Sequence, residues 1–161
     1  MSTISNGDFA MRAEDYDFIE KEISLLESDP SVQEMRRFYQ HGKVSTYVHA
    51  RRVMRKSYAI CKFFHAKVDY HDLLYAAFLH DFYLYDWHHV GDGSHRLHGF
   101  RHPKIAAENA VARFGVSPMV SKAIRTHMWP LTLVHIPTSR IGWIICIADK
   151  LVSIQEVLSR K

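Results

Sequence analysis

A His-Asp doublet, His80-Asp81, closes the apolar run Leu73-Leu74-Tyr75-Ala76-Ala77-Phe78-Leu79. A carboxylate beside a histidine on a buried helical stripe is costly unless a cation compensates it, and a metal ion is the usual compensation. Donors of the same kind stand upstream at His49 and downstream at His102, His127 and Asp149. Imidazole nitrogen and carboxylate oxygen together suit divalent transition ions, iron or manganese first, with cobalt, zinc or nickel as further fits. The six residues can hold two ions if one carboxylate bridges them, and Asp81, in the middle of the set, is the natural bridge. Two ions about 3.5–4 Å apart can hold a hydroxide between them at neutral pH. Each residue also has an ordinary role. A lone histidine on an apolar stripe is commonly a hydrogen-bonded core residue, His102 alone can cap a helix, and Asp149 alone can pair with Lys150. Six such positions in one short chain favour the metal.

The elements that must position these residues read as helices. Glu14–Glu27 carries an approximate apolar stripe, and Asp29-Pro30 breaks it. A short helix is expected over Ser31–Tyr39, then a long one over Val44–Ala66 after Gly42. On the long helix His49 shares a face with Val53, Ile60 and Phe64. Asp69 can cap the next helix, which puts Leu73, Ala76, Ala77 and His80 on one stripe. The longest irregular stretch is Phe82–Arg101, and a loop of that length in a compact domain usually carries function. Pro103 is expected at a first helical position, with Gly115 as the cap at the far end. Ser117-Pro118 starts a helix bearing Val120, Ala123, Ile124 and His127, and Trp129-Pro130 ends it. Ser139 can cap a last helix, about Arg140–Leu158, on which Asp149 shares a face with Gly142, Ile145 and Val152. The only short strand candidate is Leu131–Ile136. A second doublet, His71-Asp72, sits in a first helical turn, where the helix dipole explains Asp72 without a metal.

The chain has 161 residues, 47% hydrophobic, enough for one domain with one good core. No run reaches the roughly 20 apolar residues that span a bilayer, and the polar start does not read as a signal peptide, so a cytoplasmic location is the expectation. The net charge of +4 is a weak excess with no long basic run, so no nucleic-acid partner is expected. The two cysteines, Cys61 and Cys146, read as small buried side chains rather than a disulfide. Histidine is the compositional oddity: there are 12, five of them between His88 and His102.

In order and spacing these motifs resemble the HD-domain superfamily of metal-dependent phosphohydrolases. The matching text is Tyr47-Val48-His49-Ala50-Arg51-Arg52-Val53, Phe78-Leu79-His80-Asp81, His98-Gly99-Phe100-Arg101-His102-Pro103, Ile124-Arg125-Thr126-His127 and Ile147-Ala148-Asp149-Lys150, spanning about Gly42 to Val157. The resemblance implies an all-α fold, the HD-domain helical bundle, over 42–161, with 1–41 as an N-terminal helical extension packed on it. It implies one metal at His49, His80, Asp81 and Asp149, and a second sharing Asp81 and taking His102 and His127. The two additional histidines point to the two-metal branch, and the segments around Asp149 and His102 are most similar to bacterial dinucleoside polyphosphate hydrolases. One departure is plain: relatives often carry Lys or Glu three residues after the doublet, and this chain has Leu84.

The activity implied is hydrolysis of a phosphoester or phosphoanhydride in a nucleotide or other small phosphorylated metabolite, by attack of a metal-bridging hydroxide. Asp81, Lys150 and His98 are the expected catalytic residues, His98 as proton donor. Lys150, Arg101 and Arg52 are expected near phosphate, and Trp129, with Tyr83, Tyr85 and Trp87, can stack on a base. The segment Phe82–His95 is a candidate lid. Two other readings use the same ligands: a di-iron oxygenase acting on a small alcohol or phosphonate, and a metal-containing nucleotide-binding regulatory module without turnover.

Overall fold

The five helix starts and turns marked by Asp29, Ser45, Asp69, Ser117 and Ser139 share one chemistry. Each side chain accepts a backbone N–H from the first turn of the helix it precedes: Ser31, Val48, Asp72, Val120 and Gly142 are the donors. A cap of this kind stabilises a helix by about 1 kcal/mol. The protein, in a computed structural model that describes residues 11–86 and 97–159, is all-α. Its elements are α1 (Ala13–Glu27), α2 (Pro30–Glu34), β1 (Tyr39–His41), β2 (Val44–Ser45), α3 (Thr46–Phe63), α4 (Tyr70–Leu79), α5 (His98–Phe114), α6 (Pro118–Thr126) and α7 (Arg140–Leu158).

Helix α4 lies at the centre. Leu73, Leu74, Ala76, Ala77, Phe78 and Leu79 are all fully buried, as expected of a helix that is apolar on nearly every side. Helix α3 packs along α4 and α7, α6 packs on α4 and α7, and α5 on α6. Helix α1 rests on α2, α3 and α4. Val53, Met54, Phe78, Ile124, Ile145 and Val152 belong to one continuous core. Both cysteines are free and buried. Among the described residues no helix is long and apolar enough to cross a membrane.

Several local expectations need correction. The segment Leu131–Ile136 forms turns, with Leu133 and Val134 projecting into solvent, because its backbone pairs locally: the Thr132 N–H donates to the Met128 carbonyl at 3.4 Å and the His135 N–H to the Thr132 carbonyl at 3.0 Å. The strands lie instead at β1 and β2, an antiparallel pair turned by Gly42 at φ +60°. Helix α2 stops at Glu34, and Tyr39 already belongs to β1. The buried stripe on α3 ends at Ile60, since Phe64 is 69% exposed.

Helix α5 begins at His98, so Pro103 lies inside it rather than at its start. The carbonyl of Leu97 accepts the N–H of Phe100 at 2.9 Å and of Arg101 at 3.2 Å, which closes a turn ahead of the proline. Pro103 therefore removes only the bond that its missing N–H would have made to Gly99. Trp87 and the rest of the candidate lid as far as His95 lie outside the described residues, apart from 82–86.

Candidate metal centre

The candidate ligands come from helix faces and helix ends that converge on one point. His49 projects from the end of the first turn of α3 and Asp149 from the middle of α7, two helices packed along each other. His80 and His127 are the C-terminal cap residues of α4 and α6. His102 comes from the early part of α5. Asp81 follows His80 directly. All six are buried, none more than 7% exposed. One donor atom from each member of His49–His80–Asp81, of His80–His127–Asp149 and of Asp81–His102–His127 lies within 4.8 Å of the others in its group. Buried His and Asp side chains are thus grouped as a metal ion requires.

Asp81 divides the set. Its Oδ2 faces His80 Nε2 at 3.2 Å and His49 Nε2 at 3.7 Å. Its Oδ1 faces His102 Nε2 at 3.1 Å and His127 Nε2 at 3.7 Å. Asp149 Oδ1 lies 3.1 Å from His49 Nε2 and 3.6 Å from His80 Nε2.

The other ring nitrogen of every histidine is anchored. Nδ1 of His80 bonds to the Ala77 carbonyl at 2.8 Å, that of His102 to the His98 carbonyl at 2.9 Å, and that of His127 to the Ile124 carbonyl at 2.7 Å. Bonding to a carbonyl requires a proton on Nδ1, so a neutral ring presents a lone pair on Nε2. His102 and His127 nevertheless point their Nε2 atoms at each other across 3.1 Å. Two lone pairs at that distance repel, and a cation beside them removes the conflict. In the same place His80 Nε2 and Asp81 Oδ1 are buried without a hydrogen-bond partner. Buried polar atoms are rarely left so. The donor set therefore fits a metal.

The electrostatics point the same way. Burial alone would raise the Asp81 and Asp149 carboxyls. The imidazoles around them outweigh it, His80 and His102 for Asp81, His49 and His80 for Asp149, and hold both well below the usual carboxylate range. Burial lowers His49 and His80, yet the carboxylates push them up to about 9 and about 10. Burial and the His80 and His102 rings press His127 down to about 3. A centre this rich in carboxylate needs positive charge, from protons or from an ion.

Two residues of the centre carry no signal that the sequence reading used. Glu156, only 4% exposed, accepts from His49 Nδ1 at 3.0 Å and from Arg52 Nη1 at 3.0 Å. It lies seven residues after Asp149 and four after Val152, on the buried face of α7. Gln40 of β1 donates from Nε2 to Asp81 Oδ2 at 2.7 Å, and its Oε1 accepts from the Tyr83 hydroxyl at 2.7 Å. The Tyr83 hydroxyl also meets Thr46 Oγ1 at 3.2 Å.

A cavity of about 950 Å³ opens onto Asp81, His102, His127 and Asp149, and its described lining includes Gln40, His98 and Lys150 on the polar side. Leu97, Met128, Pro130 and Leu131 form an apolar wall. The size and mixed lining suit a small molecule. His98 stacks on His102, 4.5 Å between ring centres, and its Nδ1 meets the Tyr85 hydroxyl at 2.9 Å.

The other expected contacts are distributed differently. Lys150 lines the cavity, but its ammonium donates to the His127 carbonyl at 2.9 Å and the Cys146 carbonyl at 3.3 Å. Arg52 points to Glu156, and Arg101 is exposed; neither belongs to the described lining. Trp129 packs on Trp143, ring centres 5.2 Å apart, while Met128 and Pro130 on either side of it reach the cavity. Tyr83 is 2% exposed and packs inward rather than offering a stacking face. His71 lies away from the centre and pairs with Glu22 at 2.8 Å. No family model, curated protein or solved structure matches the chain.

Proposed function

We propose that this chain is a metal-dependent phosphohydrolase of the HD-domain type that holds two divalent transition ions, iron or manganese first. The observation that carries the reading is Asp81, whose two oxygens face two separate pairs of histidine Nε2 atoms at 3.1–3.7 Å. That is the disposition of a bridging carboxylate. His49, His80, Asp81 and Asp149 would hold one ion, and Asp81, His102 and His127 the other. When bound, such a pair supplies an activated water and polarises a phosphoryl oxygen.

The remaining steps belong to the protein. Glu156 and the three backbone carbonyls orient the ligand rings, and Gln40 fixes the Asp81 carboxylate. His98, beside His102 at the cavity and held by Tyr85, is the proton donor to the departing group. Lys150 ties the end of α6 to α7 and gives the cavity its described cation. The apolar wall at Leu97, Met128 and Leu131 seats the body of a nucleotide or other small phosphorylated metabolite.

The test is elemental analysis of the purified protein paired with an anaerobic screen of nucleotides, dinucleoside polyphosphates and phosphomonoesters. Two iron or manganese per chain with cleavage of a phosphate bond is the expected result. Turnover that begins only when oxygen is admitted replaces the hydrolase with a di-iron oxygenase. Tight nucleotide binding without product under any metal makes it a regulatory module. No metal after reconstitution makes the cluster a set of core residues.

A further inference from the structure

Helix α7 supplies Asp149 and Glu156 from its inner face, and its outer face is unlike that of an ordinary surface helix. Trp143, Ile147, Leu151, Ile154, Val157 and Leu158 all lie on the outside, between 38% (Trp143) and 63% (Leu158) exposed. The charged residues between Arg140 and Ser159 are all turned inward: Asp149 and Glu156 are buried, and Lys150 is half-buried on backbone carbonyls. The outer face therefore carries no charge over nearly its whole length. A surface helix normally presents polar residues there.

We infer that this face is the interface between two copies of the chain, packed α7 against α7 about a twofold axis. Three observations select a second copy over other occupants. The first is spacing. Ile147, Leu151, Ile154 and Leu158 follow one another by four, three and four residues, the rhythm of the a and d positions of a helix–helix seam. A seam of that pattern is complementary to itself, as a twofold interface must be. The second is area. The six side chains expose on the order of 600 Å², the upper end of the largest apolar patch on an ordinary monomer. Fully covered on both copies they contribute at most about 1,200 Å², the lower bound of a specific interface. The third is charge. A helix that lies on a membrane carries several Lys and Arg along its polar flanks, whereas this seam is flanked by Gln155 on one side and on the other by a single cation, Lys150, whose ammonium is taken up by the His127 and Cys146 carbonyls. The chain's net charge of +4 opposes self-association only weakly when none of that charge lies on the seam.

The seam also adjoins the cavity. Trp143 at its start packs on Trp129, and the next two residues, Pro130 and Leu131, form part of the apolar wall. The second copy stands beside that wall.

Analytical ultracentrifugation of the full chain from about 1 to 100 µM reads the association directly. The wild type sediments as a dimer. Ile147→Glu and Ile154→Glu each weaken association by about 30-fold or more, the loss typical of a central interface residue. Their metal content and far-UV circular dichroism stay those of the wild type, because both positions are exposed in the single chain, while their melts lose the concentration dependence that a dimer confers. Leu151→Cys, at the middle of the seam, forms a disulfide between chains under mild oxidation, and Lys104→Cys on the exposed face of α5 does not. A wild type that is monomeric throughout this range overturns the inference, as does a dimer that survives both glutamates. A monomer that sediments with phosphatidylcholine–phosphatidylglycerol vesicles makes the face a membrane-binding one instead.

Discussion

Glu156 offers the sharpest test of how the metal centre is held. Glu156→Ala removes the acceptor for Nδ1 of the fully buried His49, the carboxylate that fixes the ring's tautomer and orientation. A buried hydrogen bond to a charged group contributes about 1.5–3 kcal/mol. Outer partners of metal-bound histidines are worth 10–100-fold in metal affinity, about 1.4–2.7 kcal/mol, so the two estimates agree. The cost falls on His49, because Arg52 is half exposed and rehydrates when its partner is lost. Glu156→Gln keeps an oxygen for Nδ1 and loses only the charge, so its loss is the smaller, near 10-fold. Competition with a chromophoric chelator measures the affinities, and thermal melts with and without metal give an independent reading. The stabilisation that saturating metal confers should shrink by about 1.4–2.7 kcal/mol in Glu156→Ala. In a chain of this size that is several degrees of Tm, at about 2–4 °C per kcal/mol. If both variants bind metal as tightly as the wild type, Glu156 does not position His49, or His49 is not a ligand.

Asp81→Ala should lose all bound metal, since one residue serves both halves of the centre, whereas His71→Ala should retain the wild-type amount; elemental analysis decides, and equal loss in the two would refute the assignment. In Gly99→Ala the new Cβ would lie 2.8 Å from Leu131 Cδ2, the end of a half-exposed side chain that can swing aside. The melt should therefore move by less than about 1 kcal/mol while the Leu131 wall of the cavity is reshaped and KM shifts several-fold. An unchanged KM would mean that substrate does not reach that wall. For acid stability the group to watch is Asp15. Burial would raise its carboxyl, but the Arg12 N–H, the Lys62 ammonium and the Tyr58 hydroxyl together hold it below its ordinary value. A depressed folded-state pKa gives stability that is present above the unfolded value of about 3.9 and is lost as pH falls through the folded one. The gap in stability between wild type and Asp15→Asn should be full at pH 6 to 7 and close below about pH 4; a gap independent of pH would refute it.

The parts of this molecule that repeat with a helical period were readable in advance, because the period assigns a face. His49, His80, His127 and Asp149 each fell on an apolar stripe, and each is buried at the centre. The caps at Asp69, Ser117 and Ser139 were legible for a similar reason: one residue type has one local partner. What escaped depends on pairings that span the chain. Glu156 shares the buried face of Asp149 and Val152, and that spacing was the available signal, but a glutamate near the end of a helix ordinarily faces solvent. Arg52 was visible as a charge, yet its partner stands 104 residues away. Gln40 reaches Asp81 from a hairpin of a few residues, too short to leave an alternating pattern. Pro103 misled for another reason. A proline usually marks a first turn, and here the turn made by Leu97, Phe100 and Arg101 precedes it.

His80 and His127 are not merely near the ends of their helices; they close them. The last carbonyls of a helix carry roughly half a unit of negative charge. Helices α4 and α6 therefore deliver that charge to the same few ångströms that hold Asp81 and Asp149, with Glu156 behind them. Protons on His49 and His80, pushed up to about 9 and about 10 by those carboxylates, balance that charge when no ion is present. A divalent ion therefore enters by exchange, and the protons it replaces leave to solvent. Metal binding should release protons into an unbuffered solution and tighten as pH rises from about 6 to about 8.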